Sequence, residues 1–217
     1  MDMVLIHGMG TTPVSMMLLR RRLRRAGHTP VLFGYYPTFE GLQSAVTRLV
    51  RLIDRRVDTG HYALVGHSLG TVIIRAALGH LENRTPSACF FLAPPMVACK
   101  AAKFFSRIRL YKLLTGEMGQ LLAVDAFMSQ LPMPSVPTRI YAGVGGLRGA
   151  WLPFGTEAND FILSISEATG RFEAEALKVP SSHTYIMNSK LVFEDMARTL
   201  EAIAPGRAPD DRSRKSL

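Results

Sequence analysis

Gly66-His67-Ser68-Leu69-Gly70 is the segment that decides the fold class of this 217-residue chain. It directly follows the apolar run 62–65 and directly precedes the helix-like stretch 71–81. A GxSxG pentapeptide between a buried strand and a helix is typical of a sharp turn that lifts a serine hydroxyl clear of a sheet. Glycine is favoured at Gly66 and Gly70 because a Cβ there would crowd elements where the chain folds back on itself. The alternative is an ordinary strand-to-helix loop with a capping serine.

A second glycine-containing loop follows the first apolar segment of the chain. Residues 3–6 predict a short strand that runs into His7-Gly8-Met9-Gly10. In acyl transfer the tetrahedral intermediate carries an oxyanion, and each donor aimed at it contributes about 2.7–4 kcal/mol. We expect Met9 and Leu69 to supply backbone amides, since Leu69 would begin a helix, where unpaired N–H groups favour negative charge. The alternative for His7-Gly8 is a plain turn after an edge strand.

A serine hydroxyl is a weak nucleophile at neutral pH, so Ser68 requires a general base that is itself held by a carboxylate. His183 is the predicted base, because it lies in a loop after the strand-like run 172–179 and before the last predicted helix. His7 belongs to the first loop, and His67 is adjacent to Ser68 and points elsewhere. The remaining histidines lie at the ends of predicted elements: His28, His61 and His80.

The acid of such a relay is expected between the strand-like run 138–142 and His183, following the chain order serine, acid, histidine. Asp160 is preferred for its short side chain and its position in a loop, and Glu157 is the second choice. The alternative role for Asp160 is an N-cap of the short helix predicted at 163–169. The other carboxylates considered in this interval are Glu167, Glu173 and Glu175.

Four segments together resemble the alpha/beta-hydrolase superfamily, specifically its small bacterial lipase-like and esterase-like members. They are His7-Gly8-Met9-Gly10 after the first strand, Gly66-His67-Ser68-Leu69-Gly70, Asn159-Asp160, and Ser182-His183-Thr184. The resemblance covers the chain from residue 3 to about residue 203. It implies Ser68 as nucleophile, His183 as base and Asp160 as acid. It also implies an oxyanion hole built from the amides of Met9 and Leu69, and cleavage of carboxylic esters through an acyl-enzyme without a cofactor.

Two details of the sequence qualify the resemblance. Related lipases often have glycine after the acid, where this chain has Phe161, so Glu157 stays open beside Asp160. Some related lipases bind a structural calcium ion through an aspartate close behind the histidine. No carboxylate occurs between His183 and Glu194 in this chain, and we therefore predict no metal.

Length and hydropathy predict one α/β domain over residues 1–203 and a disordered tail over residues 204–217. The chain is 47% hydrophobic, and no Pro/Gly/Ser-rich linker divides it. Strand-like runs alternate with helical patterns, which predicts a minimal alpha/beta-hydrolase fold of about six mostly parallel strands with helices on both faces. A helical insertion is expected over 96–135, after the strand that ends near Leu92. The strand-like runs are 3–6, 30–34, 62–65, 88–92, 138–142 and 172–179.

The formal net charge of +9 has two main concentrations, on the first helix and in the insertion. The insertion also carries apolar and aromatic residues. It is interpreted as a core-packed helix with a solvated basic face, as a segment that lies at an anionic membrane surface, or as a cap over the acyl pocket. The expected substrates are small acyl esters or lipids, and nucleic acid is disfavoured because aromatic residues are few. The cations are Arg20, Arg21, Arg22, Arg24, Arg25, Lys100, Lys103, Arg107, Arg109 and Lys112.

The start of the chain and its cysteines indicate a cytoplasmic protein. Met1-Asp2 runs into the first strand without a charged n-region, and no apolar stretch approaches ~20 residues. Cys89 and Cys99 lack a disulfide framework and are predicted to be free thiols in a reducing compartment. An exported protein whose leader had been trimmed would present the same sequence.

Two further functions are compatible with these residues. A thioesterase or an acyltransferase would use the same serine, histidine and acid with a different leaving group or acceptor. A domain without catalytic activity would instead bind anionic membrane surfaces through its arginine-rich first helix.

Overall fold

Six strands form one parallel sheet in the computed structural model, which describes residues 1–57 and 60–204. The strands are β1 (Asp2–Ile6), β2 (Thr29–Phe33), β3 (Tyr62–His67), β4 (Ala88–Leu92), β5 (Thr138–Gly143) and β6 (Leu177–Val179). Their order across the sheet is β2-β1-β3-β4-β5-β6, and every neighbouring pair is parallel. All carboxyl ends therefore meet at one edge, where ligands bind in open α/β sheets.

The central strands are apolar on both sides because both faces of the sheet are covered. Val4 and Ile6 of β1 belong to one hydrophobic cluster, and Met3 and Leu5 belong to another. All five residues of β4 are buried. A strand buried on both faces has a nearly continuous apolar sequence rather than an alternating one, which explains why these strands were visible as apolar runs.

Helices pack against each face of the sheet. In the described residues they are α1 (Met17–Arg25), α2 (Leu42–Arg56), α3 (Leu69–Ala77), α4 (Lys100–Phe105), α5 (Arg109–Leu121), α6 (Asp125–Gln130), α7 (Ile165–Thr169) and α8 (Lys190–Ala202). Short 3-10 turns occupy Pro13–Met16, Leu78–His80, Glu82–Arg84, Gly170–Glu175 and His183–Asn188. The apolar residues of α1 and α8 cover one face, and those of α2 and α3 cover the other. Within the described ranges, no helix combines the length and the apolar character needed to span a bilayer.

The predicted α/β architecture with about six parallel strands is confirmed, but the last strand is shorter than predicted. The sequence predicts a strand over 172–179, whereas only Leu177–Val179 pairs with β5. Residues Gly170–Glu175 form a 3-10 turn instead. The alternation of aromatic, acidic and alanine residues from Phe172 onward imitates a half-buried strand. The predicted tail begins at Ala204, and its residues 205–217 lie outside the described ranges.

The segment between β4 and β5 forms α4 to α6 and is attached to the rest of the fold by two buried polar side chains. Arg75 of α3 donates to three backbone carbonyls around the C-terminal end of α6, a position that favours a cation: those of Met128, Leu131 and Pro132. Burial lowers the pKa of Arg75 to about 10. Glu167 of α7 accepts a hydrogen bond from the backbone amide of Lys100, at the start of α4. The insertion is thus held at both of its ends.

A buried carboxylate attaches α8 to the sheet. Asp195 accepts two hydrogen bonds from the guanidinium of Arg139 and one from the hydroxyl of Tyr141, at 2.9–3.0 Å. Burial by itself would raise the pKa of Asp195, but the hydrogen bonds from Arg139 and Tyr141 outweigh it and hold that pKa below its usual value. The buried Tyr141 hydroxyl depends on Asp195 for its partner.

We predict that Asp195→Ala lowers the free energy of unfolding by about 2–4 kcal/mol, because it leaves the buried Tyr141 hydroxyl and the partly exposed Arg139 guanidinium without an acceptor. Glu173→Ala is the matched control, since it removes the half-exposed ion pair with Lys178 and should cost less than about 1 kcal/mol. Urea denaturation of the two variants measures both values. Equal losses would contradict the role assigned to Asp195.

Candidate active site

Ser68 lies at the turn between β3 and α3, where the backbone takes an unusual conformation. Its φ is 50° and its ψ is −120°, in a region that residues with a Cβ rarely adopt. Gly66 and Gly70 permit the turn. A Cβ on Gly70 would lie 2.5 Å from the carbonyl oxygen of Ile6, and one on Gly66 would lie 2.8 Å from the amide nitrogen of Thr71. Both glycines therefore occupy close backbone approaches, as the motif predicts.

The structure brings Ser68, His183 and Asp160 into one chain of hydrogen bonds. His183 Nε2 lies 2.9 Å from Ser68 Oγ, and His183 Nδ1 lies 2.7 Å from Asp160 Oδ2. An ionised carboxylate only accepts hydrogen bonds, so Nδ1 carries the proton and Nε2 is left to accept one from the serine hydroxyl. In sequence, His183 is 115 residues from Ser68 and 23 residues from Asp160. Side chains in this arrangement can act as a nucleophile, a base and an acid.

Asp160 is fully buried, and each of its carboxylate oxygens has a partner. Oδ1 accepts from the backbone amides of Ile162 and Leu163, at 3.0 and 2.7 Å. Oδ2 accepts from His183, whose own amide donates to the Asp160 carbonyl at 2.9 Å. The carboxylate of Asp160 is consequently oriented by its own loop, and backbone and side-chain hydrogen bonds both attach His183 to Asp160.

The other candidate carboxylates make different contacts. Glu157 accepts from the amide of Ser166 at 3.0 Å, and Glu173 pairs with Lys178. Glu167 forms a capping box with Ser164, so the N-cap of α7 is Ser164 and not Asp160. Phe161, the position where related lipases often have glycine, has a φ of 78°. That left-handed backbone is the conformation in which glycine carries no steric cost.

The loop after β1 is braced by His7. Its ring stacks on Tyr35 with centroids 4.4 Å apart, Nδ1 donates to the carbonyl of Gly8, and Nε2 accepts from the Tyr35 amide. The Tyr35 hydroxyl in turn donates to the His7 carbonyl at 3.0 Å. Burial lowers the pKa of His7, which favours the neutral ring that these contacts require. His7 and Gly8 thus fix the loop that carries Met9.

The predicted amide donors lie on the loop after β1 and at the first position of α3. Leu69 is the first residue of α3, so its amide is one of those without a partner inside the helix. Met9 is partly buried in the loop after β1. A Cβ on Gly8 would lie 2.6 Å from His67 Nδ1 and 3.1 Å from Ser68 Cβ, so the loop passes directly beside the serine. The oxyanion hole formed by the amides of Met9 and Leu69 stays a prediction.

His67 is a site residue that the sequence analysis left without a role. It is buried, and its Nε2 donates to the backbone carbonyl of His183 at 2.9 Å. Burial, followed by the nearby His183, lowers the pKa of His67 to about 3. A neutral ring therefore holds the backbone of the candidate base through a contact separate from those of Asp160. In the sequence, only its position next to Ser68 indicates that His67 belongs to the site.

We predict that His67 makes the fold sensitive to acid. Below about pH 6.5 the unfolded chain binds a proton at this ring, whereas the folded protein does not until about pH 3. The free energy of unfolding should therefore fall as the pH is lowered between these values, by at most about 1.4 kcal/mol per pH unit from this one group. His67→Gln should reduce that slope in urea titrations. His80→Gln, on the exposed surface, serves as control, and identical slopes in both variants would contradict the assignment.

A cavity of about 320 Å³ opens beside the loop of Met9. Its walls are Met9 and Gly10, the residues 35–39 that follow β2, and Leu114 of α5. The lining is mainly apolar, and the volume is at the low end of the ~300–1,000 Å³ that ligand pockets occupy. An apolar group of modest size fits this space next to the candidate oxyanion loop.

A sequence model of the alpha/beta hydrolase family matches residues 3–211, nearly the whole chain. The chain belongs to the alpha/beta hydrolase family. No curated protein sequence matches this hydrolase significantly. Within the described ranges, no group of three or more His, Cys, Asp or Glu side chains is arranged to hold a metal ion.

Solved structures share the fold of this hydrolase at low sequence identity. A metagenomic carboxyl esterase is 18% identical with a TM-score of 0.72, over 94% of this chain and 76% of its own. An extracellular alpha/beta-hydrolase from a Paenibacillus species is 14% identical with a TM-score of 0.60, over 94% and 99%. The RedJ thioesterase of Streptomyces coelicolor is 16% identical with a TM-score of 0.56, over 94% and 85%. These likenesses establish the common fold.

Proposed function

We propose that this hydrolase cleaves carboxylic esters through an acyl-enzyme on Ser68. The observation that carries the proposal is the hydrogen-bonded series from Ser68 through His183 to Asp160, with contacts of 2.9 and 2.7 Å. Family membership supports hydrolysis as the reaction class. The apolar cavity beside Met9 supports an acyl group as the part of the substrate that is bound.

The first half of the proposed reaction forms the acyl-enzyme. Ser68 Oγ attacks the ester carbonyl carbon while its proton passes to His183 Nε2. The carbonyl oxygen becomes an oxyanion, which the amides of Met9 and Leu69 stabilise, the latter at the positive end of α3. As the intermediate collapses, His183 returns the proton to the leaving alkoxide, and the alcohol departs.

The second half of the reaction regenerates the serine. Water gives a proton to His183 Nε2 and attacks the acyl carbon, and the new oxyanion occupies the same pair of amides. Its collapse releases the carboxylic acid and returns the proton to Ser68 Oγ. Asp160 keeps Nδ1 protonated throughout and stabilises the imidazolium that forms twice in each cycle.

We predict that Ser68→Ala lowers ester turnover by about 10⁴–10⁶-fold and abolishes labelling by a fluorophosphonate, because no other group can form the acyl-enzyme. Ser129→Ala, which removes an exposed hydroxyl on α6, should leave both readouts unchanged. Turnover of p-nitrophenyl butyrate and gel fluorescence measure the two effects. Retained turnover in Ser68→Ala would refute the proposed mechanism.

The assignment of the acid has its own test. Asp160→Asn should lower kcat by about 10⁴-fold, because an amide no longer selects the Nδ1–H tautomer of His183. Glu157→Gln keeps a group that can accept from the Ser166 amide and should leave kcat near its original value. A large loss of kcat in Glu157→Gln, with kcat retained in Asp160→Asn, would identify Glu157 and not Asp160 as the acid.

Thioester cleavage is the second candidate function. The same three side chains serve it, and the RedJ thioesterase shares the fold. A thiolate leaving group needs less protonation than an alkoxide because its conjugate acid is stronger. Comparison of matched acyl esters and acyl thioesters with one enzyme preparation distinguishes the two reactions by their kcat/KM values.

A further inference from the structure

The insertion exposes an unusual amount of apolar surface. On α4 and α5 and between them, six large apolar side chains are 44–70% exposed: Phe104, Phe105, Ile108, Leu110, Leu113 and Leu114. Leu110, Leu113 and Leu114 have the spacing i, i+3, i+4, so they line one side of α5. Contiguous apolar surface of this kind marks a binding surface. We call these six residues, together with the cations Lys100, Lys103, Arg107, Arg109 and Lys112, the insertion face.

The insertion face continues to the cavity beside Met9. The Thr38 hydroxyl donates to the Leu114 carbonyl, and Gly116 lies directly against the Pro37 carbonyl. Two exposed aromatic residues on the same loop, Tyr36 at 69% and Phe39 at 90%, extend the apolar surface. Both line the cavity that also contains Met9. A ligand held on the insertion face is therefore adjacent to the cavity entrance.

The same segment carries a net positive charge. Five cations lie between positions 100 and 112, and no carboxylate occurs from Asn83 to Gly116. Among the described residues, Lys103 is the member of this set that forms an ion pair, with Asp125. Glu117 follows directly and turns toward Gly41. The five cations are Lys100, Lys103, Arg107, Arg109 and Lys112.

We propose that the insertion face docks this hydrolase on an anionic lipid bilayer. Leucine and phenylalanine side chains would enter the acyl boundary, while the long lysine and arginine side chains extend to the lipid head groups. An anionic bilayer thus offers an apolar environment to the apolar side chains and negative charges to the cations. A second copy of the chain would bring like charges together, and a nucleic acid would leave the leucines exposed to water.

Docking in this orientation also indicates the substrate class. The cavity entrance between Phe39 and Leu114 would face the bilayer, so an acyl lipid could pass into it from the membrane. This second part rests on the ester hydrolysis proposed above, whereas the docking itself does not depend on catalysis. Because Arg75 and Glu167 hold the insertion at its ends, the face is already formed in the free protein.

Vesicle sedimentation of the full chain carrying Ser68→Ala measures docking without turnover. We expect binding to vesicles of equal parts phosphatidylcholine and phosphatidylglycerol, weaker binding at high salt, and little binding to phosphatidylcholine alone. Arg107→Gln with Lys112→Gln should weaken the binding by about 30-fold, the effect of losing about 1 kcal/mol for each of two cations. Leu110→Gln with Leu113→Gln should weaken it at least ~10-fold, through the apolar area that no longer enters the bilayer.

Arg24→Gln with Arg25→Gln is the matched control, because it removes the same charge from exposed positions of α1. This pair should bind vesicles like the parent protein. Circular dichroism and the thermal midpoint show whether each variant is folded. The proposal is overturned if the α1 pair weakens binding as much as the α5 pair, or if the leucine pair has no effect while folded. If the parent protein forms dimers and does not bind vesicles, and the leucine substitutions abolish the dimers, the partner of the insertion face is a second copy of the chain and not a bilayer.

The two proposals fail separately. If wild-type protein does not hydrolyse soluble p-nitrophenyl butyrate yet Ser68→Ala protein binds the anionic vesicles, the ester mechanism fails and the docking stands. If the butyrate ester is hydrolysed but no vesicle binds, docking fails and the catalytic proposal stands. A faster rate on phosphatidylglycerol vesicles than on dispersed lipid, lost in the leucine pair, supports entry of lipid from the bilayer.

Discussion

The backbone at Ser68 has a φ of 50°, and much of the site depends on the packing that holds it there. A residue with a Cβ pays of order 1–3 kcal/mol for such a conformation. The Ser68 amide donates to the Leu92 carbonyl at 2.9 Å, and α3 approaches β1 so closely that only glycine fits at Gly70. Gly70 lies against the carbonyls of Ile6 and His7. This close approach of α3 to the end of β1 therefore fixes the position of Ser68 relative to the loop of Met9.

The candidate base reaches the serine from the other half of the sheet, and polar contacts on two sides position it. The amide and the Nδ1–H of His183 both bond to Asp160, and its carbonyl accepts from His67. His67 lies next to Ser68, so a single buried imidazole joins the segment of the nucleophile to the segment of the base. The relay is therefore held by backbone as well as by side-chain contacts, which limits how far its members can separate.

The insertion combines an anchored interior with an apolar, basic exterior. Its inner contacts are made above all by the buried polar side chains of Arg75 and Glu167, which bond to backbone groups of the insertion. Its outer side shares the cavity wall with the loop after β2 through Thr38 and Leu114. The same helices thus contribute one wall of the cavity and the exposed surface around its entrance. A molecule that binds to that surface is held next to the cavity.

The sequence by itself determined the parallel α/β sheet, because strands buried on both faces are continuous apolar runs, and it determined the turn at Ser68, because a local backbone requirement selects its glycines. It could not determine the last strand, where Phe172 to Ala176 alternate like a strand but only three residues pair at the sheet edge. Only the tertiary structure showed that Asp160 lies against His183 while Glu157 contacts the Ser166 amide, and revealed the contact of His67 with His183. Both contacts depend on how loops that are distant in the chain meet in space. Residue type and spacing along the chain do not specify the distances between such loops.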